Sequence, residues 1–273
     1  VKSRKFRLIF AAALAIGAAA IAQGCVGTTG GELATFEAFA AGPEGLRAGD
    51  PYAFTTARGF DVTLTRARLY VGAVYLNATV PTSVSQDTSC FLAGTYVAEV
   101  PGGLEVDVLD GALQPFPVAG SGTTTRATTA EIWLSGGDLD AEHDPTIVAQ
   151  VEGVAARGGA SWPFEGSITI NDNRLTAAVD PAQPGAKPIC KQRVVTPIAV
   201  DLTPEEGGAL VLRVDPNGWF DNVAFDELAP ADTDGAVYRF RDDNDDAPSR
   251  NLYAGVRASA GVYELTWRDE PAE

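Results

Sequence analysis

Apolar and polar residues alternate with a period of two through most of the chain, and that period predicts strands rather than helices. Phe60, Val62 and Leu64 alternate with Asp61, Thr63 and Thr65. Ala67, Leu69, Val71 and Ala73 then take up the opposite parity, so the slip near Arg66 predicts a bulge or turn. Leu104, Val106 and Val108 alternate with Glu105 and Asp107, while Ala130, Ile132 and Leu134 alternate with Glu131 and Trp133. Each reads as a strand with one buried face. Two alternating runs between Ile147 and Ile170 flank Arg157-Gly158-Gly159-Ala160, which predicts a β-hairpin turning on the glycine pair, with Pro163 at an edge or outward-facing backbone position. A second hairpin is expected from Ile198 to Val214, with Ile198, Val200 and Leu202 answering Leu210, Leu212 and Val214. Ser249 is expected to cap a short helical piece before a last strand holding Tyr263, Leu265 and Trp267. The whole pattern predicts an all-β fold, an antiparallel β-sandwich of about ten to twelve strands with little helix.

The one long apolar run breaks the pattern. Lys2, Arg4, Lys5 and Arg7 precede an apolar segment from Leu8 to Ala22. Its length suits the core of a signal peptide and falls short of the roughly 20 residues of a membrane span. An ordinary cleaved signal peptide and a retained membrane anchor are the alternatives. The run ends in Ile21-Ala22-Gln23-Gly24-Cys25, which resembles the lipobox of bacterial lipoproteins. That resemblance implies removal of residues 1–24, a lipid on the thiol of Cys25 and usually acylation of its new amino group. Several acyl chains, at about 0.8 kcal/mol per buried methylene, anchor a chain without a transmembrane helix. In the same family Val26, rather than Asp, implies sorting to the outer membrane. Residues 25–31 form the lipidated cysteine and a short tether rich in Thr and Gly, and residues 32–273 are expected to form a single domain. The mature chain is similar to uncharacterised lipoproteins of myxobacteria, a likeness carried by Leu69-Tyr70-Val71-Gly72-Ala73-Val74-Tyr75-Leu76-Asn77 and by Val214-Asp215-Pro216-Asn217-Gly218-Trp219-Phe220-Asp221-Asn222. It implies no known activity.

Charge narrows the partners. The 273 residues carry a net charge of −16, and loss of four cations with residues 1–24 takes the mature chain to −20. Nucleic acid and anionic lipid surfaces need basic patches, so the acidic balance argues against both as partners and otherwise serves solubility. An envelope protein or a glycan remains possible, beside attachment to the membrane through the lipid. With Cys25 lipidated, Cys90 and Cys190 are left as a pair, and a disulfide is expected. It closes a loop of about 100 residues, for which chain entropy gives at most about 4.7 kcal/mol. A metal held by two free thiols is the alternative, without the short Cys-x-x-Cys spacing such sites usually show.

Three constellations are candidates for chemistry. Asp138, Asp140, Glu142 and Asp144 recur at every second position around His143, the only histidine, and such density suits Ca²⁺, which takes six to eight oxygens. The EF-hand glycine and terminal glutamate are absent, so a solvated acidic loop is the other reading. Asp232 and Asp234, followed by Gly235, form a second possible Ca²⁺ loop, near the acidic run Asp242 to Asp246. Among the four tryptophans Trp133 is the best candidate for stacking on a ligand such as a sugar ring, because its parity is opposite to that of Ile132 and Leu134. No catalytic residue is assigned: there is no Gly-x-Ser-x-Gly elbow, and the 36 acidic residues specify no glycosidase pair. The reading is an outer-membrane lipoprotein with a binding or envelope-structural β domain, not an enzyme. A Ca²⁺-dependent or glycan-binding module is the alternative, and a hydrolase stands third.

Overall fold

A computed structural model of the protein describes residues 30–80, 94–174, 188–231 and 236–269. Cys25, Cys90, Asp232 and Asp234 lie outside the described residues. Two sheets account for most of the rest. The larger holds, in spatial order, β12 (Val194–Leu202), β9 (Ala127–Trp133), β4 (Ala73–Asn77), β5 (Tyr96–Val100), β8 (Gly120–Thr123), β1 (Leu33–Ala41), β13 (Ala209–Val214) and β15 (Tyr263–Arg268), with the two-residue β7 (Gln114–Pro115) on β1. The smaller holds β14 (Tyr238–Phe240), β11 (Ala160–Thr169), β10 (Ile147–Arg157), β3 (Asp61–Val71) and β2 (Tyr52–Thr55), with β6 (Leu104–Asp107) also on β3. The two ends of the larger sheet, β12 and β15, approach each other, so that sheet curls toward a barrel.

Period-two alternation is what lets both sheets share one core. Ala34, Phe36, Ala38 and Ala40 point inward from β1, while Leu33, Thr35 and Glu37 face out. Along β3 the inward set Val62 and Leu64 gives way to Ala67, Leu69 and Val71, with Thr65 and Arg66 both exposed. The pairing of β10 with β3 skips Thr65 at that point, so the parity slip is a β-bulge. From β3 the chain turns into β4 through Gly72, whose N–H donates to the Trp133 carbonyl at 2.7 Å. A Cβ on Gly72 would run into the Ser135 carbonyl oxygen, so only glycine lets the corner sit against β9. This corner carries the chain from the smaller sheet to the larger and sets β4 beside Trp133.

The hairpin of β10 and β11 has its expected form, with Gly158 and Gly159 at φ 60° and 87°. On β11, β14 pairs with Phe164 to Gly166, which leaves Pro163 beyond its end. Other expectations need correction. The described residues form fifteen strands rather than ten to twelve, because short pieces such as β7 and β14 carry too few residues to show a period. Pairing is not wholly antiparallel: β1 runs parallel to β13 and β11 parallel to β14. β12 and β13 form no hairpin. β13 pairs with β1 and β15, β12 pairs with β9, and the turn between them is tied to β1 through Gly207 N to Thr35 O and Glu37 N to Gly208 O, both 2.9 Å. The helix α1 (Ala247–Val256) begins earlier than expected and is capped by Asp246, whose side chain accepts from the Ser249 N–H at 2.7 Å. Ser249 serves a different end, its hydroxyl accepting from the Arg241 N–H.

Candidate binding site on the outer face of the larger sheet

The outward face of β5, β4 and β9 is the place where polar chemistry has been drawn into the protein. Register sets Glu99, Tyr75 and Glu131 in one cross-strand row and Tyr96, Asn77 and Thr129 in the next, with Ala73 opposite Trp133 beyond. Residues in these rows share a face and reach one another's side chains. Trp133 therefore points away from the core, as its parity predicts.

Glu131, by contrast, is not the solvated residue its parity suggests, for it is fully buried. The rings of Tyr75, Tyr96 and Trp133 stand around it, Tyr75 lying 4.6 Å from Trp133 and 5.3 Å from Tyr96 between ring centroids. The Tyr96 hydroxyl donates to Glu131 Oε1 at 2.8 Å, and the Trp133 Nε1–H donates to the same oxygen at 3.2 Å. Burial pushes the Glu131 carboxyl above its ordinary value, and those two bonds pull the other way without cancelling it. Burial also raises the Tyr96 phenol, helped by its bond to the Glu131 carboxylate. Tyr75 is raised by burial and by the carboxylates of Glu99 and Glu131 on either side.

Three atoms in this cluster have no partner. Glu131 Oε2 and both amide atoms of the fully buried Asn77 are without a hydrogen bond. The neighbouring hydroxyl of Thr129 is already committed to the Thr79 carbonyl at 3.0 Å. Buried polar atoms of this kind are rare and costly, about 1–3 kcal/mol each. Beside the cluster, across β5, β8 and β1, runs a trough of about 380 Å³ whose lining includes Tyr96, Glu99, Ser121, Thr35 and Leu33. Tyr96 belongs to both the trough and the cluster.

The acidic loop is organised around a different cation from the one its sequence suggests. Carbonyl oxygens of Leu139 and Ala141 accept from Arg193 Nη1 at 3.0 and 2.7 Å, and that of Asp138 lies at 3.4 Å. Ile170 O accepts from Arg193 Nε and Nη2 at 3.1 and 2.9 Å. Arg193 is fully buried, so a guanidinium stands where these carbonyls converge. Asp138, Asp140 and Glu142 project outward, and the exposed His143 pairs with Asp172 at 2.8 Å. Asp144 is buried: its oxygens accept from Thr146 N and Oγ1, Ser135 Oγ and Gly136 N. Burial acts to raise its carboxyl, but these bonds outweigh it and bring the group to about 2. Among the described residues no three His, Cys, Asp or Glu side chains are grouped to hold a metal. Cys190 is buried in the 3-10 turn Ile189–Gln192.

On the smaller sheet Glu152 and Glu165 lie directly opposite each other, yet each is taken by an arginine, Arg66 at 2.5 Å and Arg239 at 2.6 Å. Sequence reasoning singled out Trp133 and passed over Glu131, Asn77, Tyr75 and Tyr96, which the structure places beside it. Glu131 and Trp133 share a parity, which was a signal; the pairing of β9 with β4 and of β4 with β5 was not visible. No family model, no curated protein and no solved structure matches this chain.

Proposed function

We propose that this protein is an exported lipoprotein, held in the outer membrane by an acylated Cys25, whose β domain acts by binding through the outer face of its larger sheet. The observation that carries the binding reading is the buried Glu131, ringed by Tyr75, Tyr96 and Trp133 and adjoining the unpartnered Asn77. Packing alone gives no reason to bury a carboxylate and a carboxamide on a sheet's outer face and leave three of their atoms unbonded. The anchor reading rests on the basic start, the apolar run and the lipobox-like segment ending at Cys25. A Cys90–Cys190 disulfide belongs to the same reading, supported by the bonded state of Cys190.

The role is binding, not catalysis. In support, the groups bonded to Glu131 are the phenol of Tyr96 and the indole of Trp133, and the single histidine lies exposed in the loop after β9, paired with Asp172. The calcium reading of Asp138, Asp140, Glu142 and Asp144 is left with three exposed carboxylates, since Asp144 accepts from Ser135, Gly136 and Thr146 and the loop carbonyls face Arg193. The anchor is tested by fractionating cells that make the wild-type chain or Cys25→Ser. The wild type should sediment with membranes and incorporate labelled palmitate, and the variant should do neither. A variant that stays in the membrane fraction contradicts the anchor.

A further inference from the structure

We infer that the outer face of the larger sheet binds a neutral, hydroxyl-rich ligand, a short saccharide chain, which lies in the trough over Ser121, stacks on Tyr96 and passes a pair of hydroxyls to Glu131 and Asn77. The inference rests on the reading of that face as the binding surface and names the chemistry it takes.

The unpartnered atoms select the ligand class. Glu131 Oε2 and Asn77 Oδ1 are acceptors, and Asn77 Nδ2 is a donor. A hydroxyl both donates and accepts, so two neighbouring hydroxyls answer all three atoms. A bare cation satisfies the two acceptors and leaves the amide N–H groups facing a like charge. An anion meets the Glu131 carboxylate on a chain of net charge −16, and is repelled both locally and at a distance.

The trough supplies the rest of the recognition. Tyr96 is 39% exposed, so its ring offers an apolar face at the trough wall while its hydroxyl reaches Glu131. Thr35 and Ser121 bring hydroxyls to the same cavity, and Leu33, 72% exposed, gives it an apolar end. Aromatic faces meet the C–H face of a sugar ring, and hydroxyl-bearing residues take its edges. Glu131 lies under the rings of Tyr75, Tyr96 and Trp133, and Tyr96 is the ring shared with the trough, so a hydroxyl entering from the trough reaches the carboxylate past Tyr96. A saccharide hydroxyl there donates to the unpartnered Oε2 and leaves the Tyr96 bond to Oε1 in place.

The test is isothermal titration of the full chain, kept in a non-glycosidic detergent, with the trimer of N-acetylglucosamine, cellotriose and mannotriose. Calcium chloride and tetramethylammonium chloride serve as cation probes. One of the three saccharides is expected to bind saturably, at least about tenfold more weakly to Ser121→Trp and to Tyr96→Ala. Ser121 is exposed, so its variant fills the trough without disturbing the core. Asn77→Ala should weaken binding as well. The hydroxyl-ligand inference is overturned if no saccharide binds, or if only a cation probe binds and Glu131→Gln abolishes the response. A cation response that still depends on Ser121 and Tyr96 leaves the face as the binding surface. A saccharide that binds all these variants as tightly as the wild type overturns the inference and removes that face as well.

Discussion

The hydroxyl of Tyr96 donates to Glu131 Oε1 at 2.8 Å across the intervening strand β4, tying together two strands that do not pair with each other. Among the described residues this bond is one of two that reach the buried carboxylate from side chains. Tyr96→Phe removes it while keeping the ring, and hydrogen bonds to charged groups are worth about 1.5–3 kcal/mol net. Because Tyr96 is partly exposed, the expected loss falls below that range, at about 1 kcal/mol in urea unfolding. An unchanged midpoint would mean that the bond contributes nothing to the clasp.

The pH dependence of stability separates Glu131 from Asp144. The Glu131 carboxyl is raised in the folded protein, so the charged form is disfavoured by folding and its cost is present at neutral pH. That cost falls away as pH drops through the raised folded value, and is gone below the unfolded value near 4.5. Wild type should therefore gain stability relative to Glu131→Gln as the solution is acidified from pH 7 toward that value. A difference that stays constant, or that moves the other way, contradicts a buried carboxylate at this position.

Asp144 has the opposite sign. Its carboxyl titrates at about 2 when folded against 3.8 ordinarily, so it stabilises the fold above the ordinary value and stops doing so as pH falls through about 2. Asp144→Asn should cost about 2 kcal/mol at pH 7, with the deficit closing toward pH 2. Denaturant curves at a series of acid pH values read both effects. A deficit that does not shrink in acid would assign the effect to lost packing.

Arg193 is expected to be the position on which the acidic loop depends most. Arg193→Met leaves the carbonyls of Leu139, Ala141 and Ile170 without their donor, and breaking a buried charged network costs about 3–5 kcal/mol. Hydrogen exchange should show residues 136–146 opening below the global unfolding free energy. Arg193→Lys should not rescue them, because a single ammonium cannot span carbonyls arranged around a planar guanidinium. Full rescue by lysine would refute the organising role.

The features legible in the sequence were those set by neighbours along the chain. The parity slip at Arg66 became the Thr65 bulge, and the glycine pair at 158 and 159 became a hairpin turn. What depended on partner choice was not legible. Ile198 to Leu202 and Leu210 to Val214 read equally well as two arms of a hairpin, yet the parallel pairing of β13 with β1 separates them. The same limit hid the candidate site, since Asn77 and Glu131 lie in different strands brought together only by the pairing of β4 with β9. Arg193 carried no local signal, because its partners come from segments more than twenty residues upstream.

The claim that a buried, incompletely bonded carboxylate lies beneath the Tyr75, Tyr96 and Trp133 rings is tested most directly by carbon-detected NMR titration of the Glu131 side-chain carboxyl. Its midpoint should lie above the ordinary glutamate value, and should rise further in Tyr96→Phe, which keeps the ring and removes a bond that lowers it. A midpoint at or below the ordinary value in the wild-type protein would place Glu131 in a solvated or fully paired setting and contradict the site described for this face.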